Sequence, residues 1–245
     1  MASREVFFQT LRRALGKAPG VDLTPPGPDS VALTEKASAI RERSPATLAS
    51  LSEAFVARAQ LVGWHVSRVP SKEAAAAAVV NLALARGMKH VVRSAHALLD
   101  RVPVHEALAS AGLEVKVVAY DDEDPQGSRA ALREVMLHAD AGLTGADYAI
   151  AETGSIVLLP RRGVSRIVSL LPPVHIALVE TSQVLESLDD LFLLRTEEFL
   201  RTGSLRGYMS IITGPSRTAD IEQTLVVGVH GPREVHLVLI EEEFP

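Results

Sequence analysis

The fold is first indicated by a strand that ends in a glycine-led turn, YMSIITGPSRTADIE, which spans Tyr208 to Glu222. The apolar first half predicts a β-strand, and the Gly-Pro pair predicts where it ends. Ser216, Arg217 and Thr218 then bring two hydroxyls and a guanidinium together. Such a turn suits a phosphate or carboxylate, particularly if a helical turn begins at Thr218. The alternative is a well-capped turn with a purely structural role.

Outward from this stretch, strand-like and helical segments alternate along the chain. Strands are predicted at residues 64–69, 89–92, 114–120, 148–150, 156–159, 176–179, 209–212 and 235–240. Helices are predicted at 71–85, 128–138 and near 188–200, with further helical segments before residue 109. The alternation predicts an α/β fold with a mainly parallel sheet covered on both faces. Ligands of such sheets bind beyond the carboxyl ends of strands, so the turns after 148–150 and 209–212 are expected to share one rim.

The N-terminal region has a different pattern. Residues 3–15 show the apolar spacing of a helix, residues 18–30 are rich in proline, and residues 45–62 form a second helical region. We therefore predict a helical arm and linker at 1–62, followed by an α/β domain at 63–245. The arm could pack on the body of the protein or on a neighbouring subunit.

Composition sets further limits. The 245 residues are 47% hydrophobic and 22% charged, which is typical of a globular protein with a sizeable core. A net charge of −5 argues against a broad nucleic-acid surface. The apolar runs are too short to span a membrane, and the N-terminus lacks a signal-peptide pattern, so a cytoplasmic location is expected. The sequence contains no cysteine, which excludes thiolate ligands for an iron–sulfur cluster within this chain.

Three ordered motifs accompany the opening stretch. They are GLTGADYAIAETGS at residues 142–155, SLLPPVHI at 169–176 and GVHGP at 228–232. Together the motifs resemble those of the lactate utilization protein C family (LUD domain). The resemblance implies a three-layer Rossmann-like fold of the kind shared by sugar-phosphate isomerases and CoA transferases. It also implies L-lactate oxidation to pyruvate by a multi-protein system, with the iron–sulfur cluster in a partner protein and no cofactor in this chain.

Glu152 and His230 are the candidate catalytic residues. Glu152 follows an apolar run and precedes a glycine that lets a ligand approach the backbone, so it could act as a base. The alternative is a buried carboxylate paired with an arginine, with Arg166 or Arg217 as the candidates. The ordinary pKa of histidine lies near neutrality, so His230 could transfer protons. A hydrogen bond that stabilises its turn is the competing role.

The candidate ligand-binding residues are polar or small residues in or beside the motif turns. Arg166 is the preferred anion contact between the motifs, because a guanidinium pairs with a carboxylate in a fork geometry. Arg161 and Arg162 could be a solvated basic turn. The full set is Thr153, Gly154, Ser155, Arg166, His175, Gly214, Ser216, Arg217, Thr218 and Asp220.

Metal and nucleotide sites are not supported. The eight histidines show no His-x-His or His-Glu-x-x-His spacing. The acidic run 121–124 lacks the spaced ligands of a calcium loop, so a solvated loop is predicted there. No Walker motif occurs. The sequence therefore leaves three hypotheses: an anion-binding component of lactate oxidation, a non-catalytic assembly or regulatory subunit, and an enzyme for a phosphorylated or CoA-linked substrate.

Overall fold

The computed structural model of the protein describes residues 4–14, 16, 30–118, 125–161, 163–204, 208–219 and 225–241. The helices are α1 (Arg4–Ala14), α2 (Ser30–Arg41), α3 (Pro45–Leu61), α4 (Lys72–Ala85), α5 (Ala97–Arg101), α6 (Val104–Ser110), α7 (Pro125–Leu137) and α8 (Leu188–Thr202). The strands are β1 (His65–Val69), β2 (His90–Ser94), β3 (Glu114–Val118), β4 (Ala141–Gly145), β5 (Tyr148–Ile150), β6 (Ser155–Leu158), β7 (Val174–Glu180), β8 (Val184–Leu185), β9 (Ser210–Ile212), β10 (Arg217–Ala219), β11 (Leu225–Val227) and β12 (Glu234–Ile240). Short 3-10 turns lie at Arg166–Ser169 and Thr181–Gln183.

Six strands form one sheet in the order β1-β12-β7-β4-β2-β3, and every neighbouring pair is parallel. The longest pairing joins β12 to β7, with Glu234 opposite Val174 and Ile240 opposite Glu180. The central strands β12, β7 and β4 are buried on both faces, as expected for a parallel sheet covered by other elements, whereas the edge strands β1 and β3 are mostly exposed. The predicted α/β class with a mainly parallel sheet is therefore confirmed.

Two apolar layers cover the sheet. On one face, side chains of α4, α5 and α6, such as Leu98 and Leu108, pack against Leu143 and Leu178. On the other face, Phe55 of α3 packs with strands of a second sheet, and Met136 of α7 packs beside them in a separate cluster. Full burial of side chains of this size stabilises the fold by about 1.5–3 kcal/mol each. The result is the expected three-layer arrangement.

The second sheet corrects one sequence-based expectation. Three predicted strands, β5, β6 and β9, lie outside the parallel sheet and join β8 in the order β8-β5-β6-β9. β6 is antiparallel to both β5 and β9. Only four residues separate β5 from β6, and such a short connection can form a hairpin but not a parallel crossover. The turns after β5 and β9 therefore do not end strands of the parallel sheet.

A second correction concerns Thr218. No helical turn begins there, because residues 217–219 form β10, which pairs with β11 in an antiparallel hairpin. Residues 217–219 lie opposite the apolar, partly β-branched run 225–227. Two such segments close together in sequence are typical of a hairpin rather than of a helix start. An anion site formed by a helix N-terminus, which a helical turn at Thr218 would have provided, is therefore absent at this position.

The N-terminal prediction is met in part. α1 and α3 match the predicted helices, whereas α2 was not predicted, and the proline-rich linker falls outside the described residues. Phe55 of α3 is fully buried, so this helix contributes to the core of the α/β body. The domain boundary at residue 62 stays a prediction. Among the described residues, no helix has the length and apolar character needed to cross a membrane.

Candidate functional site

The motif turns gather around the end of α3, next to the start of β1. Gly154 lies against this helix so closely that a Cβ would stand 2.6 Å from the Ala59 nitrogen. A Cβ on Gly214 would stand 2.1 Å from the Val62 carbonyl oxygen. Both glycines have positive φ, 66° and 78°, which other residues rarely adopt. These glycines therefore allow the two turns to pack on one helix end.

A chain of hydroxyls connects the turns directly. The Ser155 hydroxyl lies 2.7 Å from that of Thr153 and 2.7 Å from that of Thr213. Ser155 is fully buried, and its position follows from the pairing of β6 with β9. The hydroxyls satisfy one another, which gives Thr153 and Ser155 a structural role in this arrangement.

Ser216 joins the hairpin to the GVHGP turn. Its hydroxyl accepts the backbone N–H of His230 at 3.2 Å, and its backbone bonds to Gly228 and Pro232. The His230 side chain is exposed. Arg217 is also exposed, and its Nη2 donates to the Val62 carbonyl oxygen at 3.3 Å. The structure thus brings Ser216 next to the backbone of His230 near the start of β12, and the side chains of Arg217 and His230 are both exposed there.

Arg166 and Glu152 have partners elsewhere. The exposed Arg166 guanidinium lies over the Tyr208 ring, 5.2 Å from its centroid. The Glu152 carboxylate accepts the Leu188 N–H at 3.3 Å, where a carboxylate is favoured by the N-terminal end of α8. No hydrogen bond or ion pair joins Glu152 to Arg166, Arg217 or His230, all of which are described residues. Asp220 lies outside the described residues.

His175 is buried within the layer between the two sheets. Its Nε2 lies 2.8 Å from the Thr144 hydroxyl, and its ring lies 5.9 Å from the Trp64 ring. Burial lowers the pKa of His175 to about 3. The side chain is completely shielded from solvent, so a ligand at the exposed turns does not reach it in this conformation. Ligand binding by the predicted residues stays a prediction.

The opposite, carboxyl end of the parallel sheet holds a polar cluster that sequence reasoning missed. Asp147 follows β4, and its Oδ1 accepts Arg161 Nη1 at 2.8 Å while its Oδ2 accepts the Leu159 N–H at 2.7 Å. His96 follows β2, and its Nε2 lies 3.5 Å from Asp147 Oδ1. Asp147 belongs to the motif at residues 142–155, but His96 and Arg161 lie outside that motif, and His96 is distant from it in sequence. Only the pairing of β2 with β4 brings them together.

The Asp147 carboxylate is ionised at neutral pH. Burial alone would raise its pKa, but contacts from His96 and Leu159 and the positive charge of Arg161 together lower it. The His96 contact is at the limit of hydrogen-bond length, so the shorter bonds from Leu159 and Arg161 are the firmer causes. Among the described residues, no three histidine, aspartate or glutamate side chains are grouped closely enough to hold a metal ion.

The sheet order, its two covering layers and the motif turns define a three-layer α/β protein of the Rossmann-like type. Residues 52–240 match the family model of the LUD domain. Because this match covers more than half of the chain, the protein belongs to the LUD domain family. The resemblance drawn from the motifs is thereby confirmed.

Several curated proteins are similar to this chain. Lactate utilization protein C of Halalkalibacterium halodurans is 41% identical over 107 residues, which cover 42% of this chain and 45% of that protein. Lactate utilization protein C of an Exiguobacterium species is 39% identical over 128 residues, covering 50% and 52%. Lactate utilization protein B of Bacillus pumilus is 26% identical over 240 residues, covering 79% and 48%. The chain spans about half the length of the curated relatives it matches.

Among solved structures, a DUF162 family protein from Deinococcus radiodurans is similar, with 24% identity and a TM-score of 0.48. The similarity covers 79% of this chain and 98% of that protein.

Proposed function

We propose that this protein takes part in lactate utilization, as a component of a multi-protein system that oxidises L-lactate to pyruvate. The observation that carries the proposal is the LUD domain match, together with relatives named lactate utilization protein B and C. The role of this chain in that system is to bind a small anionic metabolite.

The anion contact is assigned to Ser216, Arg217 and His230. Arg217 is exposed, and the single hydrogen bond of its side chain to other described residues is a long one, to the Val62 carbonyl oxygen. Its guanidinium therefore keeps N–H groups that can pair with a carboxylate in a fork geometry. In this proposal the neighbouring Ser216 hydroxyl and the His230 imidazole add further hydrogen bonds, and His230 is the residue that transfers a proton.

The electrons removed from lactate go to a partner in this proposal. Lactate oxidation needs an electron acceptor, and a chain without cysteine offers no thiolates for an iron–sulfur cluster. Iron–sulfur lactate-utilization proteins are the partners that the family resemblance implies. This chain then contributes binding of the anion and orientation within the complex.

The substitution Arg217→Ala tests the anion contact. Loss of a charged hydrogen bond should weaken anion binding by about 1.5–3 kcal/mol. Stability should fall by no more than about 1 kcal/mol, because the guanidinium is exposed. Calorimetric titration and thermal melts with L-lactate, pyruvate, phosphate and CoA measure both effects. Arg233→Ala changes another exposed arginine close to the same turn and serves as the control. Unchanged binding in Arg217→Ala would contradict the assignment.

A second candidate function, assembly without catalysis, is favoured by the surface around the same turns. Leu170, Leu171, Val227 and Val229 are exposed there, with relative exposures of 41–53%. Leu170 approaches Gly231, and Val227 pairs with Arg217 across the hairpin. Exposed apolar side chains that lie together in this way are typical of protein–protein contact surfaces.

A further inference from the structure

The carboxyl end of the parallel sheet contains a histidine with an unsatisfied nitrogen. His96 precedes α5, and its Nδ1 accepts the Leu98 N–H at 3.1 Å. The proton of the neutral ring therefore resides on Nε2. This Nε2 is buried and has no hydrogen-bond partner, since Asp147 Oδ1 lies 3.5 Å away. A buried donor without a partner is uncommon in folded proteins and requires an explanation.

The backbone is shaped to hold this imidazole in place. A Cβ on Gly145 would stand 2.4 Å from His96 Nδ1, so only glycine leaves room for the ring at the end of β4. The Ala95 N–H donates to the Gly163 carbonyl oxygen at 2.8 Å, which attaches Gly163 to the residue that precedes His96. The imidazole, the carboxylate and the guanidinium are thus fixed by three separate parts of the chain.

Arg161 is the accessible member of this group. Its Nη1 donates to Asp147 and to the Leu159 carbonyl oxygen at 2.8 and 2.9 Å. Within the part of the chain that the structure describes, its Nη2 and Nε make no further hydrogen bond. Its side chain is 26% exposed, against 15% for Asp147. A ligand approaching from solvent therefore meets the guanidinium first and the carboxylate and imidazole behind it.

We propose that His96, Asp147 and Arg161 form a binding site for a small 2-hydroxycarboxylate at the carboxyl ends of β2 and β4. The ligand carboxylate pairs with the available N–H groups of Arg161. The ligand hydroxyl lies beside the other two side chains, where it accepts from His96 Nε2–H and donates to Asp147 Oδ1. His96 Nε2 and Asp147 Oδ1 lie 3.5 Å apart, so a ligand hydroxyl oxygen can lie about 2.8 Å from each of them and make both hydrogen bonds at ordinary length.

The donor and acceptor pattern sets the specificity. An ionised Asp147 only accepts hydrogen bonds, so it favours a hydroxyl over a keto oxygen or a methylene group. The neighbouring strand β7 ends in a different kind of group: both oxygens of Glu180 are bound by Arg101, at 2.6 and 2.7 Å. That carboxylate is satisfied, whereas the His96 group is not. The ligand crevice of parallel α/β sheets also lies at this end.

This site is separate from the anion contact at Arg217. It rests on the proposed role in lactate utilization only for the choice of L-lactate as the first probe. Calorimetric titrations of the full chain with L-lactate, pyruvate and propionate test it. Propionate lacks the hydroxyl, and pyruvate cannot donate to Asp147. We expect L-lactate to bind at least about tenfold more tightly than either. Propionate would leave the buried His96 N–H without a partner, and the keto oxygen of pyruvate would face the Asp147 carboxylate without a proton to donate.

Two variants locate the binding. His96→Asn keeps an acceptor for the Leu98 N–H, since asparagine is a good helix N-cap, but removes the far ring N–H. Arg161→Gln removes the charge at a partly exposed position. Each should weaken L-lactate binding about tenfold or more. Arg68→Gln makes the same change in another arginine paired with carboxylates, at the end of β1, and should leave binding unchanged.

Three results would overturn the proposal. They are no L-lactate binding by the wild type at tens of millimolar, equal affinity for propionate, and wild-type affinity in His96→Asn and Arg161→Gln. If His96→Asn fails to fold, the comparison of Arg161→Gln with Arg68→Gln decides. Arg217→Ala distinguishes the two proposals, because loss of lactate binding in that variant alone would place the ligand at the other end of the sheet.

Discussion

At the scale of single residues, burial decides what His175 can do. The residue is the second of β7 and was a candidate ligand contact, but its side chain lies between two sheets with Thr144 and Trp64 as neighbours. An imidazole in such surroundings remains neutral, because a charge there would lose its hydration. Its contribution to the fold is therefore packing and one hydrogen bond.

The pH dependence of stability tests this role. The unfolded chain binds a proton at His175 below its ordinary pKa of 6.5, whereas the folded chain does so only below about 3. The stability that the neutral residue contributes is fully present above pH 6.5. As the pH drops from 6.5 towards 3, the free energy of unfolding falls by about 1.4 kcal/mol per pH unit, because only the unfolded chain binds the proton. Urea unfolding between pH 7 and 4 measures this slope.

His175→Asn should show a shallower slope than the wild type over that range, because asparagine does not bind a proton there. Equal slopes in wild type and His175→Asn would contradict the buried neutral role.

At the scale of elements, close backbone contacts determine how strands and turns fit together. Strand β4 packs against the 3-10 turn at Arg166–Ser169 through Gly142, where a Cβ would stand 1.8 Å from the Val168 carbonyl oxygen. This contact places the SLLPPVHI motif beside the central strand. It also explains a glycine in a fully buried strand, where glycine otherwise weakens the structure.

Gly142→Ala should therefore lower the free energy of unfolding by about 3 kcal/mol or more, because backbone must move to relieve the overlap. Gly112→Ala is the matched control. Its Cβ would meet open space, although φ is +85°, so strain alone should cost roughly 1–2 kcal/mol. Urea unfolding of both variants gives the comparison. Equal losses would show that the β4 contact adapts without strain.

At the scale of the whole molecule, the absence of cysteine leads to a prediction about activity. The purified chain should not oxidise L-lactate by itself, because it offers no thiolates to hold a cluster that could receive the electrons. An assay with L-lactate and an artificial electron acceptor measures this. Activity should require added iron–sulfur partner proteins. Sustained turnover by the isolated, cofactor-free chain would contradict the proposed division of roles.

The sequence alone predicted a mainly parallel sheet, five of its six strands and most of its helices. Apolar runs of four to seven residues separated by amphipathic segments leave few other folds, because each strand needs both faces covered. The start of α4 is also determined locally, since the Ser71 hydroxyl accepts the Ala74 N–H and caps the helix. The motifs likewise identified the family. Strand β4 was missed because AGLTG carries two glycines and little β-branched character.

Only the tertiary structure decided where polar groups meet. The motif turns follow strands of a second, mixed sheet, and a strand pattern does not reveal which sheet the strand joins. The buried position of His175 depends on Trp64 and Thr144, which are far from it in sequence. His96, Asp147 and Arg161 come from three segments and meet because parallel pairing aligns the carboxyl ends of β2 and β4. Local sequence determines the elements, whereas long-range pairing and burial determine which side chains form a site.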